Sequence, residues 1–221
     1  MIKGAIFDMD GTLLDSMPIW MNASTRYLKR LGIQAETNLA EILFHMSMQE
    51  GAEYIRQTYQ VAEDTDAIIA GVNAIVYEAY EKEVQPKAGV RDFLEGLKLA
   101  GIPMVVATSS DREMAEAAFA RTGLMPYFHE IFTCSEVGAG KSSPDIYFAA
   151  AKALGTKIEE TWTFEDALYA TKTAKAAGFC TVGLYDASSD REQAELRETA
   201  DIYVDDLTDF KGIFEKMMQM P

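Results

Sequence analysis

The spacing of apolar residues changes character along this chain. Ile2-Lys3-Gly4-Ala5-Ile6-Phe7 is a short, nearly continuous apolar run that reads as a buried strand. Met17, Trp20, Met21, Ser24, Tyr27, Leu28 and Leu31 then recur at helical spacing, and Gly32 closes that helix. Up to residue 81 every apolar series is helical: Leu39/Ile42/Leu43/Met46, then Ala52/Ile55/Tyr59, then Ile68/Ile69/Val72/Ile75/Val76/Ala79. Val84–Gly89 reads as a linker. Beyond it, helices and short apolar strands alternate. Val90, Phe93, Leu94 and Leu97 form a helix face, and Ile102–Ala107 a strand. Asp111–Thr122 is a helix closed by Gly123, and Ile131–Thr133 a strand. Ser143 as N-cap and Pro144 as first residue open a helix to Leu154. Thr161–Phe164 is a strand, followed by helix to Ala177. Thr181–Leu184 and Ile202–Val204 are strands, and the pattern predicts a last helix over roughly 207–218.

Such alternation predicts right-handed βαβ units: an α/β fold with a parallel sheet and helices on both faces. The helical stretch is too long for a crossover and reads as an inserted all-helical cap domain. The expected division is 1–15 with 84–221 for the sheet domain and 16–83 for the cap.

Composition narrows the class of partner. The chain has 221 residues, 48% hydrophobic and 25% charged, as in ordinary globular proteins. Twenty basic against 35 acidic residues give a net charge of −15, which steers the chain away from nucleic acid and anionic membranes. A phosphorylated ligand is also repelled at distance, so its site must carry local positive charge. Cys134 and Cys180 lack CxxC spacing and are expected to be free thiols in a reducing compartment. The opening apolar run is too short for a signal peptide, and no segment reaches the roughly 18 apolar residues of a membrane helix. A cytoplasmic location and a monomer or weak homodimer are expected.

The candidate chemistry sits where strands end. Asp8-Met9-Asp10-Gly11-Thr12 follows the first strand. Carboxylates two apart leave an extended backbone on one side, and like charges that close call for a cation between them. Mg²⁺, which takes oxygen ligands, answers that need. Strand 102–107 runs into Thr108-Ser109-Ser110, strand 161–164 into Glu165-Asp166, and the loop after strand 131–133 carries Lys141. In open α/β sheets ligands bind beyond the carboxyl ends of the strands, so these four loops should meet. Together they suit phosphoryl transfer, which is largely positioning and electrostatics. Asp8 is the candidate nucleophile. Asp10 is the candidate acid/base, and Glu165 and Asp166 complete the metal ligands with Asp8 and Asp10. Thr108 and Ser109 are placed to hold phosphoryl oxygens, with the following helix start adding its dipole. Lys141 supplies positive charge. Taken singly, the hydroxyls could be a helix entry, Lys141 a solvated loop lysine and Glu165-Asp166 a helix-capping pair. All four arriving by coincidence is the less economical reading.

Four stretches in order carry a resemblance: Phe7–Ser16 (FDMDGTLLDS), Val106–Ser110 (VATSS), Gly140–Tyr147 (GKSSPDIY) and Thr163–Ala167 (TFEDA). Over its whole length the chain resembles the haloacid dehalogenase-like phosphohydrolases, within them the β-phosphoglucomutase-like branch. The resemblance implies a Rossmann-like doubly wound core, a small helical cap, Mg²⁺ and an aspartyl-phosphate formed on Asp8. It departs from the mutases at Trp20, where they usually carry histidine. Between Leu31 and Glu81 the only basic residue besides His45 is Arg56, whereas mutases use cap lysine and arginine for a second phosphate. Thr12 also favours hydrolysis. Ala167 and Ala170 replace the family's usual Ser and Gly. The expectation is a Mg²⁺-dependent phosphatase of a small phosphorylated metabolite, a sugar phosphate or nucleotide; the alternative is a β-phosphoglucomutase-like isomerase. Trp20, His45 and Gln49 are the candidate substrate-reading residues of the cap. Asp15-Ser16 and Gln85–Gly89 are candidate hinges.

Overall fold

The computed structural model describes residues 1–43 and 46–220. In chain order the elements are β1 (Gly4–Phe7), α1 (Met17–Arg30), α2 (Leu39–Leu43), α3 (Met48–Tyr59), α4 (Thr65–Lys82), α5 (Val90–Leu99), β2 (Met104–Thr108) and α6 (Arg112–Thr122). There follow β3 (Ile131–Thr133), α7 (Cys134–Val137), α8 (Asp145–Leu154), β4 (Thr161–Glu165), α9 (Leu168–Ala176), β5 (Cys180–Leu184), α10 (Gln193–Thr199), β6 (Ile202–Val204) and α11 (Phe210–Gln219). Two compact units result: Met1–Asp15 with the chain from Gln85 onward, and Ser16–Val84.

The first unit is a six-stranded sheet in the order β3-β2-β1-β4-β5-β6, with every pairing parallel. This is the doubly wound α/β arrangement the alternation calls for. β1 sits near the middle, with Phe7 opposite Val106 on one side and Phe164 on the other. Winding reverses between β1 and β4, which opens a crevice at their carboxyl ends. Neighbouring residues of β1 face opposite layers. Phe7 enters an aromatic layer, stacked on Phe164 at 4.2 Å and edge-on to Phe93 at 6.4 Å. Ile6 enters the other layer, where Val105 and Ala107 pack with Ile146, Ala150 and Ala151 of α8. Small alanines there bring α8 close to the strands, which matters for the residues it carries.

The second unit holds α1 to α4. Gly71 on α4 lets α1 approach, since a Cβ there would lie 2.3 Å from Tyr27 Cε2. α3 starts with a Ser47/Glu50 capping box, and the Asp64 carboxylate caps α4 by accepting from Ala67 N at 2.9 Å. Its interior is apolar: Leu28, Ile55, Ile68, Val76 and Ala79 are all buried. A cleft of about 250 Å³ is lined by Trp20, Leu43, Met46, Met48, Ile55 and Ile68 among others. Among the described residues no helix is long and apolar enough to cross a membrane.

Local differences from the sequence reading have local causes. α8 starts at Asp145, with Pro144 as its cap residue. The Ser143 hydroxyl is engaged by the Asp145 carboxylate and does not cap the helix. Apolar periodicity gives no sign of α7 or α10. α7 has four residues, too few for a periodic signal. α10 buries only Gln193 and Leu196. The last helix begins at Phe210, with Asp209 as its cap.

Candidate active site

β1 delivers Asp8 at its carboxyl end, where the Asp8 N–H donates to the Phe164 carbonyl at 2.9 Å. The same bond sets Asp8 beside the end of β4, which carries Glu165 and then Asp166. One oxygen from each of Asp8, Glu165 and Asp166 lies within 4.8 Å of the others, and all three residues are buried. Lys141 reaches in from the loop before α8. Its ammonium donates to Asp8 Oδ1 and, at 2.8 Å, to Glu165 Oε1. Lys141 is 3% exposed, so desolvation works against its charge. The two facing carboxylates outweigh burial and hold its proton affinity well above the usual lysine range.

One ammonium does not balance three acids. Burial, opposed by Lys141 and reinforced by Asp8, pushes Glu165 up to about 7. Asp166 is pushed well above its ordinary range by burial, then by Asp8, Glu165 and Asp186. With all three ionised, the three carboxylates and Lys141 leave two negative charges, the charge one divalent cation would neutralise. Glu165 Oε2 is fully buried without a hydrogen-bond partner, an expensive state unless something positive fills it. An oxygen-only donor set with an orphaned carboxylate oxygen fits a hard cation such as Mg²⁺, with Asp8, Glu165 and Asp166 as holders.

Asp166 is held by its neighbours. Thr12 Oγ1 donates to its Oδ1 at 3.1 Å. Gly11 adopts φ +81°, and a Cβ there would lie 2.4 Å from Asp166 Oδ2. Only glycine meets both demands. The Asp10 side chain is not part of the three-acid group; its Oδ2 accepts from Ser110 Oγ at 2.6 Å. Ser110 N in turn donates to Thr108 Oγ1 at 3.0 Å. The β2 loop is thus brought against the β1 loop, with Thr108 buried. Ser109 is exposed, its hydroxyl 3.5 Å from Cys134 Sγ. Both cysteines are free.

Within the helical unit, Trp20 lines the cleft and its indole N–H donates to Tyr80 OH at 2.9 Å. Gln49 lies elsewhere, its amide donating to Thr65 Oγ1 at 3.1 Å. His45 lies outside the described residues.

Three participants escaped the sequence reading. Tyr147 on α8 donates its hydroxyl to Glu165 Oε1 at 2.7 Å. Ser110 holds Asp10; its place two residues after Thr108, on the same side of an extended backbone, was the available signal. Lys87 donates to the Gly11 carbonyl at 2.6 Å, the Tyr185 carbonyl at 2.7 Å and Asp186 Oδ2 at 2.8 Å. Burial raises Asp186, but Lys87 and Ser188 overcome it and hold the carboxyl below its ordinary range. Nothing local in the sequence marks Lys87 as a tether of the loop that follows β1.

A family model for haloacid dehalogenase-like hydrolases matches residues 2–178. Validoxylamine A 7'-phosphate phosphatase of Streptomyces hygroscopicus subsp. limoneus is 28% identical over 96% of this chain and 97% of that protein. Fructose-1-phosphate phosphatase YqaB of Escherichia coli K12 is 30% identical over 81% of this chain and 94% of its own. The structure of β-phosphoglucomutase from Clostridium difficile superposes with a TM-score of 0.73 at 21% identity, covering 99% of this chain and 98% of that one. The chain belongs to the haloacid dehalogenase-like hydrolases, and it is an enzyme of the phosphatase kind. It shares its fold with the mutase, so fold alone does not separate the two chemistries.

Proposed function

We propose that this enzyme hydrolyses the phosphate ester of a small polyhydroxylated metabolite, a sugar or sugar-alcohol phosphate, through an aspartyl-phosphate on Asp8. The observation that carries the reading is Lys141 bridging Asp8 and Glu165 inside a buried three-acid group whose Glu165 Oε2 has no partner. Lys141 holds the Asp8 carboxylate in place through its hydrogen bond to Oδ1. The Asp8 carboxylate attacks phosphorus, the ester P–O bond breaks, and Asp10 gives its proton to the leaving alkoxide. Asp10 then takes a proton from water, whose oxygen attacks the phosphorus of the acyl phosphate. Inorganic phosphate leaves and Asp8 is regenerated. Ser110 fixes Asp10 for both transfers, and Thr108 lines the oxygens of the transferring group. Mg²⁺, held by Asp8, Glu165 and Asp166, would supply the positive charge that lets two anions meet.

Sugar-type substrates are favoured over nucleotides by three relatives, whose names specify fructose 1-phosphate, a hexitol and a validoxylamine phosphate, against one named for FMN. The helical unit would act as the cap that selects among them, with Trp20 the first residue to examine. Hydrolysis is favoured over isomerisation by Arg56, which is already paired with Glu53 at 2.8 Å on the surface and is poorly suited to hold a second phosphate.

The test is phosphate release from a panel of sugar, polyol and nucleotide phosphates, with and without Mg²⁺, using Asp8→Asn as control. Turnover should require Mg²⁺ and fall at least about 10³-fold in the variant. Wild-type rates in Asp8→Asn would end the nucleophile assignment. Interconversion of hexose 1- and 6-phosphates without phosphate release would end the hydrolase reading.

A further inference from the structure

Tyr147 is wholly buried in the first turn of α8. Its ring lies in the apolar layer with Ile6, Val105, Ile146 and Ala150, and meets Phe179 at a centroid distance of 6.0 Å. Packing of that kind leaves the ring one position. A phenylalanine would fill the same space, so packing alone does not call for the hydroxyl. The hydroxyl has one partner, Glu165 Oε1, at 2.7 Å.

The carboxylate it meets is lopsided. Oε1 accepts from both Tyr147 and Lys141, at 2.7 Å and 2.8 Å, while Oε2 accepts from nothing although buried. A carboxylate turned by about 90° about its last bond would take one oxygen off both donors and the other out of its place, whereas a full half-turn only exchanges two equivalent oxygens. Lys141 cannot prevent such turning unaided, because its ammonium is shared with Asp8. Tyr147 belongs to a different element, is fixed by the core, and its hydroxyl, unlike the Lys141 ammonium, is not shared with Asp8. It therefore supplies the directional constraint that Lys141 lacks.

We propose that Tyr147 is a positioning residue: its hydroxyl, with Lys141, saturates Glu165 Oε1 and so presents Oε2 to the divalent cation. This inference rests on the reading of the three-acid group as a metal site. Hydrogen bonds of this sort behind a ligating carboxylate tune metal affinity, typically by about 10- to 100-fold.

The experiment measures Mg²⁺ binding to the purified protein by calorimetry, and the Mg²⁺ concentration giving half-maximal phosphate release. The proteins are wild type, Tyr147→Phe, Glu165→Gln and the double variant. Thermal unfolding without metal reports folding of each. Tyr147→Phe should bind Mg²⁺ about tenfold more weakly, and its half-saturating Mg²⁺ should rise by the same factor. Its kcat at saturating Mg²⁺ should fall by a smaller factor, since the cation restores the ligand's pose once bound. In the Glu165→Gln background the same change should add nothing. Equal Mg²⁺ affinity in wild type and Tyr147→Phe, with Glu165→Gln impaired, would overturn the role of Tyr147 and leave the metal site standing. Mg²⁺ binding undetectable in wild type, or untouched by Glu165→Gln, would overturn both. Should Tyr147→Phe fail to fold, Tyr147→Met removes the same donor with a more adaptable side chain, and the same affinity comparison decides.

Discussion

The two units of this enzyme bury different things. Among the described residues, the α/β unit takes Asp8, Lys141, Glu165, Asp166 and Asp186 out of water. Among the described residues, the helical unit buries no Asp, Glu, Lys or Arg; its interior is Leu28, Ile55, Ile68, Val76 and similar residues. Its ion pairs lie at the surface, as with Arg26–Glu83 at 2.9 Å and Lys82–Glu78 at 3.0 Å. Exposed pairs like these contribute little, about 0–1 kcal/mol each, whereas a buried charge is costly unless paired. One half thus holds unfavourable electrostatics in a rigid frame, and the other is stabilised by ordinary burial. The candidate site lies where the electrostatic strain is held.

The sharpest way to break this contrast is to remove the one cation of the acid group. Lys141→Met should reduce phosphate release by about 10³-fold, as expected for losing a charge aimed at the reacting atoms. It should also destabilise the protein, because Asp8 and Glu165 lose their partner. A variant retaining a tenth of the activity would mean that the contrast is structural only. A smaller effect is expected from the helical unit. Leu28→Ala removes a fully buried side chain away from the cleft and should cost about 2–5 kcal/mol of stability. Its kcat on a minimal phosphoryl donor, measured below the unfolding transition, should stay within a few-fold of wild type. A drop comparable with Lys141→Met would show the two halves to be energetically inseparable.

The smallest effect tests whether burial, and not membership of the α/β unit, makes the difference. Glu136 is held down to about 2 by its hydrogen bonds with Arg112, but the pair's side chains are 39% and 46% exposed. Solvent screening keeps its worth below about 1 kcal/mol. A depressed carboxyl stabilises the fold above its unfolded value of 4.5, and that contribution fades as pH falls toward 2. Denaturant titrations of Glu136→Gln should show a small deficit at pH 7 that closes below pH 4.5. A deficit above about 2 kcal/mol, or one that grows in acid, would mean that this exposed pair behaves like the buried ones.

Much of the candidate site's layout was legible in the sequence because its groups sit at strand ends. Asp8, Thr108, Glu165 and Asp166 each terminate or follow a short apolar run, and a parallel sheet brings such ends together. Lys141 was legible only as part of that set. Tyr147, Lys87 and Asp186 were not, because each acts across the fold on a partner from a distant segment: 18 residues for Tyr147 and Glu165, 99 for Lys87 and Asp186. The pattern of apolar residues also passed over α7 and α10, whose few buried positions complete no helical stripe. It placed Ser143 as a helix cap, and the Asp145 carboxylate took that hydroxyl instead.

The segments that leave for and return from the helical unit run side by side. Asp15 N donates to Gln85 O at 2.9 Å, Lys87 N to Leu13 O at 3.0 Å, and Leu14 pairs with Pro86. Departure and re-entry therefore share one stitched seam, and no sheet hydrogen bond depends on what lies between them. Descent with modification can exchange that intervening stretch for another while this seam and the parallel sheet behind it keep their own hydrogen bonds.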